Sequence, residues 1–171
     1  MSDADLDDGL EDETDSVPGG ERQEMTLELP AVHAAARLAR HLIRPFAKSV
    51  GITGSELDHL VLVASELIGN AVDHGGGQAA LDPGHHAMRM ILSLEASREG
   101  WILAVSDQGG GEPEALRELI EPKGLPDLED ERGRGFFLIQ EMVDRITVER
   151  SADGTGLRLV AERRHGQIEA S

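Results

Sequence analysis

The chain has 171 residues, enough for one domain with a hydrophobic core but short for two. It contains no cysteine, which excludes a disulfide framework, a thiolate nucleophile and a zinc–thiolate site. Its formal net charge of −17 argues against direct binding to nucleic acid. Because no apolar run approaches the roughly 18 residues of a membrane span, we expect a cytoplasmic protein without membrane contact.

Residues 1–24 differ in composition from the rest of the chain. They carry ten acidic residues and one base, Arg22, so they account for −9 of the −17 and leave −8 for the remainder. With so few apolar groups, this segment is expected to be a disordered, solubilising tail, and imitation of nucleic acid or contact with a basic partner surface are the alternatives. We expect the folded domain over residues 25–165 and a short C-terminal tail over residues 166–171.

The first predicted element is a strand from Met25 to Leu29, where apolar and polar residues alternate. Helical spacing of apolar residues follows from Ala31 to Val50, and Pro45 is expected to kink or shorten that helix. A second helix begins after a cap at Thr53 or Ser55. It is expected to end at the triple glycine of residues 75–77.

Two strands come next, one alternating from Met88 to Ala96 and one continuously apolar from Trp101 to Val105, joined by a turn at Glu99-Gly100. Residues 109–132 form a long connection rich in glycine, proline and charge, with at most one or two helical turns around residues 114–120. Long loops in compact domains are usually functional.

A helix from Gly135 to Val143 and two strands, Ile146 to Arg150 and Leu157 to Glu162, complete the chain. The order β-α-α-β-β-α-β-β lacks regular βαβ alternation. We therefore predict an α/β (α+β) two-layer sandwich, in which a mixed, largely antiparallel sheet has its helices on one face.

Polar side chains fall on one stripe of the second helix, where Glu66, Asn70 and Asp73 follow one another at helical spacing. An ordinary solvated helix face would show the same pattern. Here Leu62 and Val63 flank the stripe, so the acid and the amide are expected to need partners. A magnesium ion with phosphates would supply them, because Mg²⁺ usually takes one or two protein oxygens and keeps water and phosphate oxygens for the rest.

Two glycine-rich segments follow this helix in the order that a nucleotide site requires. Asp107 comes directly after an apolar strand and next to Gly109, Gly110 and Gly111, where a fixed carboxylate can accept a hydrogen bond from an exocyclic amine; a turn-forming aspartate is the alternative. Gly133-Arg134-Gly135 opens the next helix, whose amides and positive end could receive phosphates. Alone, such a Gly-x-Gly is equally typical of a helix-entry turn.

As an ordered set, these motifs resemble those of the GHKL superfamily of ATPases, in particular its bacterial anti-sigma factor serine/threonine kinases. The resemblance covers about Met25 to Glu162. The family's first motif, Glu-x-x-x-Asn-Ala-x-x-His, is matched by Glu66, Asn70, Ala71 and His74. The second, Asp-x-Gly-x-Gly, is matched by Asp107, Gly109 and Gly111, the third by Gly133 and Gly135, and a threonine before the last strand by Thr155.

The resemblance implies a Bergerat-type ATP-binding fold with Glu66 as general base, Asn70 as Mg²⁺ ligand and Asp107 as the residue that recognises adenine. The matched glycines would shape the phosphate pocket and its lid. His74, Arg134, Phe136 and Thr155 complete the expected ATP-binding residues.

The function that the resemblance implies is phosphorylation of an anti-anti-sigma partner and sequestration of a sigma factor. A non-catalytic switch, in which ATP gates binding to another protein, is the main alternative. An interaction domain with a degenerate pocket is a third interpretation, and dimerisation is left open.

Overall fold

The computed structural model describes residues 21–75, 88–120 and 131–165. The expectations for residues 1–20, for the second and third glycines of the triple glycine, and for the C-terminal tail therefore concern residues outside the described part. Within it, every predicted helix and strand is present, with shifts of a few residues at the ends.

Five strands form a single sheet in the order β1-β2-β3-β5-β4. Their bounds are β1 (Gln23–Pro30), β2 (Arg89–Ser97), β3 (Gly100–Ser106), β4 (Arg145–Arg150) and β5 (Leu157–Arg164). All four described pairings are antiparallel. The two-layer α/β architecture is confirmed, and the sheet is antiparallel at each described pairing rather than mixed.

Four helices accompany the sheet: α1 (Ala34–Ser49), α2 (Gly54–Gly75), α3 (Pro113–Ile120) and α4 (Glu131–Met142). The first of them continues four residues past Pro45, so this proline does not end it. The last begins four residues before the predicted start at Gly135. None of the helices within the described ranges has the length and apolarity needed to cross a membrane.

The core lies between the helices and one face of the sheet. Alternation on β2 buries Met90, Leu92 and Leu94 completely, and α1 buries every fourth residue from Ala35 to Ala47. Each large aliphatic side chain buried in this way contributes about 1.5–3 kcal/mol. The core therefore holds α1 and α2 against the sheet and fixes the direction in which α2 runs along the strands.

The direction of α2 brings its second half to the Asp107 end of the sheet. Glu56, in the first turn of α2, lies 3.3 Å from Arg163 at the end of β5. The next residue, Arg164, pairs with Gly100 at the start of β3, so the start of α2 lies at the start of β3. From Glu56 to Asn70 the helix rises about 21 Å, and β3 covers about 23 Å over its length. Asn70 is thus level with the end of β3, where Asp107 follows.

Candidate functional site

Glu66 on α2 faces Gly135 on α4. Both Glu66 and Asn70 are half-buried. Of the two apolar residues that flank the polar stripe, Val63 is buried and Leu62 is 36% exposed, so the stripe lies at the edge of the core. A Cβ atom placed on Gly135 would lie 2.8 Å from Oε2 of Glu66. Real Cβ atoms essentially never approach so closely, so glycine at this position makes room for the carboxylate.

Asn70 has a buried polar atom that no residue of the described part pairs with. Its Nδ2 is buried and forms no hydrogen bond with any residue of the described part. A buried amide nitrogen left unpaired costs about 1–3 kcal/mol, so such groups in native proteins need an explanation. A ligand that bonds this amide would remove the cost.

Asp107 is held rigidly at the end of β3. It is only 5% exposed, and its backbone N–H donates to the carbonyl of Leu157 at 2.9 Å. Its Oδ1 accepts hydrogen bonds from the backbone N–H groups of Gly109, at 2.9 Å, and Leu157, at 3.2 Å. Charge-assisted bonds of this kind are stronger than neutral ones. They fix the carboxylate in one orientation and tie the β3 end to the start of β5.

Two glycines that the motif comparison did not assign support this arrangement. A Cβ atom on Gly156 would lie 2.0 Å from the carbonyl oxygen of Asp107 and 2.5 Å from its Oδ1. Gly110 has φ +73°, a left-handed conformation that glycine adopts without strain, and the backbone oxygen of Thr155 lies nearby. Gly156 could have been found from the sequence, because it is a glycine directly before the last strand.

The turn between β4 and β5 is built around Asp153. Its Oδ1 accepts hydrogen bonds from the hydroxyl of Ser151 and from the hydroxyl and backbone N–H of Thr155. These bonds, above all that from Ser151, lower the pKa of Asp153 from 3.8 to about 2. The Ser151 hydroxyl oxygen in turn accepts a bond from the N–H of Gly156. The turn therefore sets the position of the Gly156 backbone against Asp107.

A model of the histidine kinase-like ATPase domain matches residues 29–161. The chain belongs to this family. The match contains both halves of the site, the Glu66–Gly135 contact and the Asp107 region. Membership of an ATPase family also implies that the protein binds ATP.

The sequences of several curated proteins match most of this chain. The anti-sigma F factor of Clostridium acetobutylicum is 29% identical over 151 residues, which cover 85% of this chain and 96% of that protein. The anti-sigma F factor of Geobacillus stearothermophilus is 32% identical over 133 residues, covering 75% of this chain and 84% of the relative. That of Bacillus subtilis is 26% identical over 140 residues, covering 81% and 91%.

Two solved structures share the fold at low sequence identity. The structure of the SiaB–SiaC complex from Pseudomonas aeruginosa matches with a TM-score of 0.60 and 13% identity over 81% of this chain and 88% of the matched chain. The structure of the RsbU and RsbW domains of a Mycobacterium tuberculosis protein matches with a TM-score of 0.55 and 17% identity over 83% of this chain. The match spans 32% of that longer chain.

The other residues predicted for this ATPase site lie on α4, on α2 and in the loop after β3. Gly133 and Arg134 lie in the first turn of α4 rather than ahead of it, and His74 lies in the last turn of α2; the side chains of Arg134 and His74 are outside the described part. Phe136 is 1% exposed and belongs to the core. Gly111, in the loop after β3, accepts a hydrogen bond from Arg150. Their roles in binding stay predictions.

The donors on α2 fit a magnesium ion that is mostly ligated by phosphate and water. Among the described residues there is no group of three or more histidine, cysteine or acidic side chains that could hold a metal. Asn70 offers its amide oxygen, one turn from the carboxylate of Glu66. Its buried nitrogen, which no described residue pairs with, is a donor for a phosphate or water oxygen. Hard oxygen donors in such small number suit Mg²⁺, which dehydrates reluctantly.

A cavity of about 180 Å³ also opens beside Asp107, lined among others by Gln108, Ser151 and Asp153. Neither Glu66 nor Asn70 lines it. Its wall includes Glu28 and Ile91, which belong to the sheet face away from the core. The cavity is therefore separate from the space between α2 and α4, where the motif residues are expected to bind the phosphates.

Proposed function

We propose that this chain is an ATP-dependent protein serine/threonine kinase that phosphorylates an anti-anti-sigma protein and sequesters a sigma factor. The position of Glu66 opposite Gly135 carries the proposal: the carboxylate is half-buried, and a Cβ atom at position 135 would lie 2.8 Å from its Oε2, so a side chain there would push the proposed base aside. The names of the curated relatives, anti-sigma F factors, support a sigma factor as one of the two partners.

In this proposal, Glu66 accepts the hydroxyl proton of a serine or threonine of the partner as that oxygen attacks the γ-phosphorus and ADP leaves. General bases contribute about 10²–10⁴-fold to such reactions. Bound Mg-ATP supplies the phosphoryl group and an ion that neutralises its charge. Asn70 would be the protein's ligand to that ion.

Asp107 would recognise adenine, which carries an exocyclic amine. Two backbone N–H groups fix one carboxylate oxygen, so the side chain is oriented before any ligand arrives. Preorganisation of this kind improves affinity by reducing the ordering that binding requires. The close packing of Gly156 against Asp107 supports the same role.

Phosphoryl transfer tests the proposal directly. The full chain is incubated with γ-labelled ATP, Mg²⁺ and a purified anti-anti-sigma protein, and label in the partner is counted. Glu66→Gln should lower the transfer rate by about 10²–10⁴-fold, whereas Glu141→Gln, on an exposed position of α4, should not. Absence of labelled partner with the wild-type chain, or undiminished transfer by Glu66→Gln, would refute the kinase.

ATP affinity, measured by calorimetry on the same variants, separates the alternatives. A kinase needs Glu66 for transfer and not for binding, so Glu66→Gln should change the dissociation constant by less than about threefold. Nucleotide-dependent capture of a partner without any transfer would identify a non-catalytic switch. No ATP binding at millimolar nucleotide would indicate a degenerate pocket.

A further inference from the structure

Helix α1 carries a basic surface although the protein is strongly acidic. Every charged side chain between Ala34 and Ser49 is a base or a histidine, whereas the net charge of the chain is −17. Arg37, His41, Arg44 and Lys48 follow one another at intervals of four, three and four residues, and all are exposed. This spacing places them on one side of the helix, and we call them the basic stripe.

The basic stripe has little compensation from its surroundings. Arg44 lies 3.4 Å from Asp58 of α2, with both side chains largely exposed. In residues 21–75, 88–120 and 131–165, the other three members of the stripe find no ion-pair or hydrogen-bond partner. Surface pairs such as Arg44–Asp58 contribute about 0–1 kcal/mol, so the described residues leave most of the positive charge of the stripe uncompensated.

Two exposed leucines border the basic stripe on its His41 side, with Leu38 three residues before His41. Leu38 and Leu42 are 49% and 39% exposed and one turn apart. Arg40 and Arg44 reach α2, at Ser65 and Asp58. Leu38 precedes Arg40 by two residues and Leu42 precedes Arg44 by two, which corresponds to a rotation of about 200° around the helix axis. The two leucines therefore lie on the side of α1 away from α2. A ligand that combines acidic groups with two apolar side chains would match this surface.

We propose that the N-terminal segment of the same molecule, residues 1–20, docks on the basic stripe and on Leu38 and Leu42. This segment contains eight acidic residues and no lysine, arginine or histidine. It also contains Leu6 and Leu10, which are spaced by four residues like the leucines on α1. Both the charge and the apolar pair are therefore complementary.

The start of β1 places the segment at one end of α1. Gln23, the first residue of β1, pairs with Ala96 of β2. Two residues after Ala96, Arg98 lies against Gly51, which comes just after the end of α1: a Cβ atom on Gly51 would be 3.3 Å from Cγ of Arg98. Residues 1–20 therefore join the domain near the C-terminal end of the helix. An extended chain of this length reaches about 66 Å, and α1 is about 24 Å long, so every part of the surface is within reach.

Docking within one molecule needs little intrinsic affinity. A segment tethered by a short chain has an effective concentration in the millimolar range, so a dissociation constant of that order suffices. Because the contact is largely electrostatic and exposed, salt should release it. The docked segment covers the basic face of α1, so an acidic ligand for that face would have to displace it. This inference does not depend on the proposed kinase activity.

A spin label in the full chain tests the docking. Because the chain has no cysteine, Ser16→Cys provides a unique site for a nitroxide. We expect selective broadening of the amide signals of residues 37–48 at about 50 mM salt and its loss at about 1 M, where the Debye length falls to about 3 Å. Absence of broadening in α1 at low salt would overturn the proposal.

Charge-reversal variants provide the matched control. Arg37→Glu with Lys48→Glu should abolish the broadening, whereas Arg145→Glu with Arg164→Glu, also exposed but on β4 and β5, should preserve it at the same net charge. Thermal melts establish that both variants are folded. Broadening that survives the α1 substitutions would overturn the proposal. A mixture of spin-labelled molecules and unlabelled, isotope-enriched molecules tests for docking between copies. Broadening that appears only in this mixture would also overturn the proposal, because the occupant would then be a second copy of the chain.

Discussion

Gly156 packs against Asp107 so closely that no side chain fits between them. A Cβ atom at position 156 would lie 2.0 Å from the carbonyl oxygen of Asp107 and 2.5 Å from its Oδ1. Because the first of these contacts is with backbone, relief requires movement of β3 or β5. The glycine thus sets the distance between the residue expected to recognise adenine and the last strand.

Gly156→Ala should therefore impair both stability and nucleotide binding. Overpacking of this kind costs about 1–3 kcal/mol, and the displaced carboxylate should weaken ATP binding by at least about tenfold, which corresponds to 1.4 kcal/mol. Denaturant titration and calorimetry measure the two effects.

Gly69→Ala is the matched control, because a Cβ atom there meets nothing within 4 Å. It lies inside α2, next to Asn70, where alanine is favoured over glycine by about 0.8–1 kcal/mol. It should leave ATP affinity unchanged and raise stability. Equal behaviour of the two variants would show that the contact with Asp107 has no special role.

The periodic elements and the order of the motifs could be predicted from the sequence, because both are local. The continuously apolar run from Trp101 to Val105 predicted a central strand, and β3 is indeed central: Ala104, on the face away from the core, is buried opposite Val160. The Gly156–Asp107 contact could not be predicted, since it joins residues about fifty positions apart and depends on strand register. The start of α4 also differed, because glycines at positions 133 and 135 weakened the helical signal.

Asn70→Ala should stabilise the nucleotide-free protein and weaken its response to Mg-ATP. The substitution removes a buried nitrogen that no described residue pairs with, and a buried unpaired group costs about 1–3 kcal/mol. The same change removes the expected Mg²⁺ ligand, so added Mg-ATP should shift the unfolding midpoint less than in the wild-type chain. Denaturant titrations with and without Mg-ATP measure both effects. A less stable nucleotide-free variant would contradict the view that Asn70 is held ready for a ligand.

The Asp153 turn predicts a specific pH dependence. The hydrogen bond from Ser151, followed by those from Thr155, lowers the pKa of this carboxyl from 3.8 to about 2. A lowered pKa in the folded protein means that the ionised carboxylate stabilises the fold fully above pH 3.8 and loses this effect as the pH falls towards 2. A carboxyl-carbon NMR titration should give a midpoint near 2 for the wild-type chain and a higher one for Ser151→Ala. An ordinary midpoint in the wild-type chain would exclude the turn as described.

Gly135→Ala should separate catalysis from folding and from ATP binding. Alanine favours the helix, so α4 should not lose stability, but its Cβ atom would lie 2.8 Å from Oε2 of Glu66 and displace the carboxylate. Misplacement of a catalytic group by about 1 Å can cost about 10²-fold in rate. We therefore expect transfer to the partner to fall by about that factor, with a melting temperature that does not fall and an ATP affinity that changes far less than the transfer rate. The double variant with Glu66→Gln should be no slower than Glu66→Gln alone, because both changes act through one carboxylate; an additive loss would place the effect of Gly135 elsewhere.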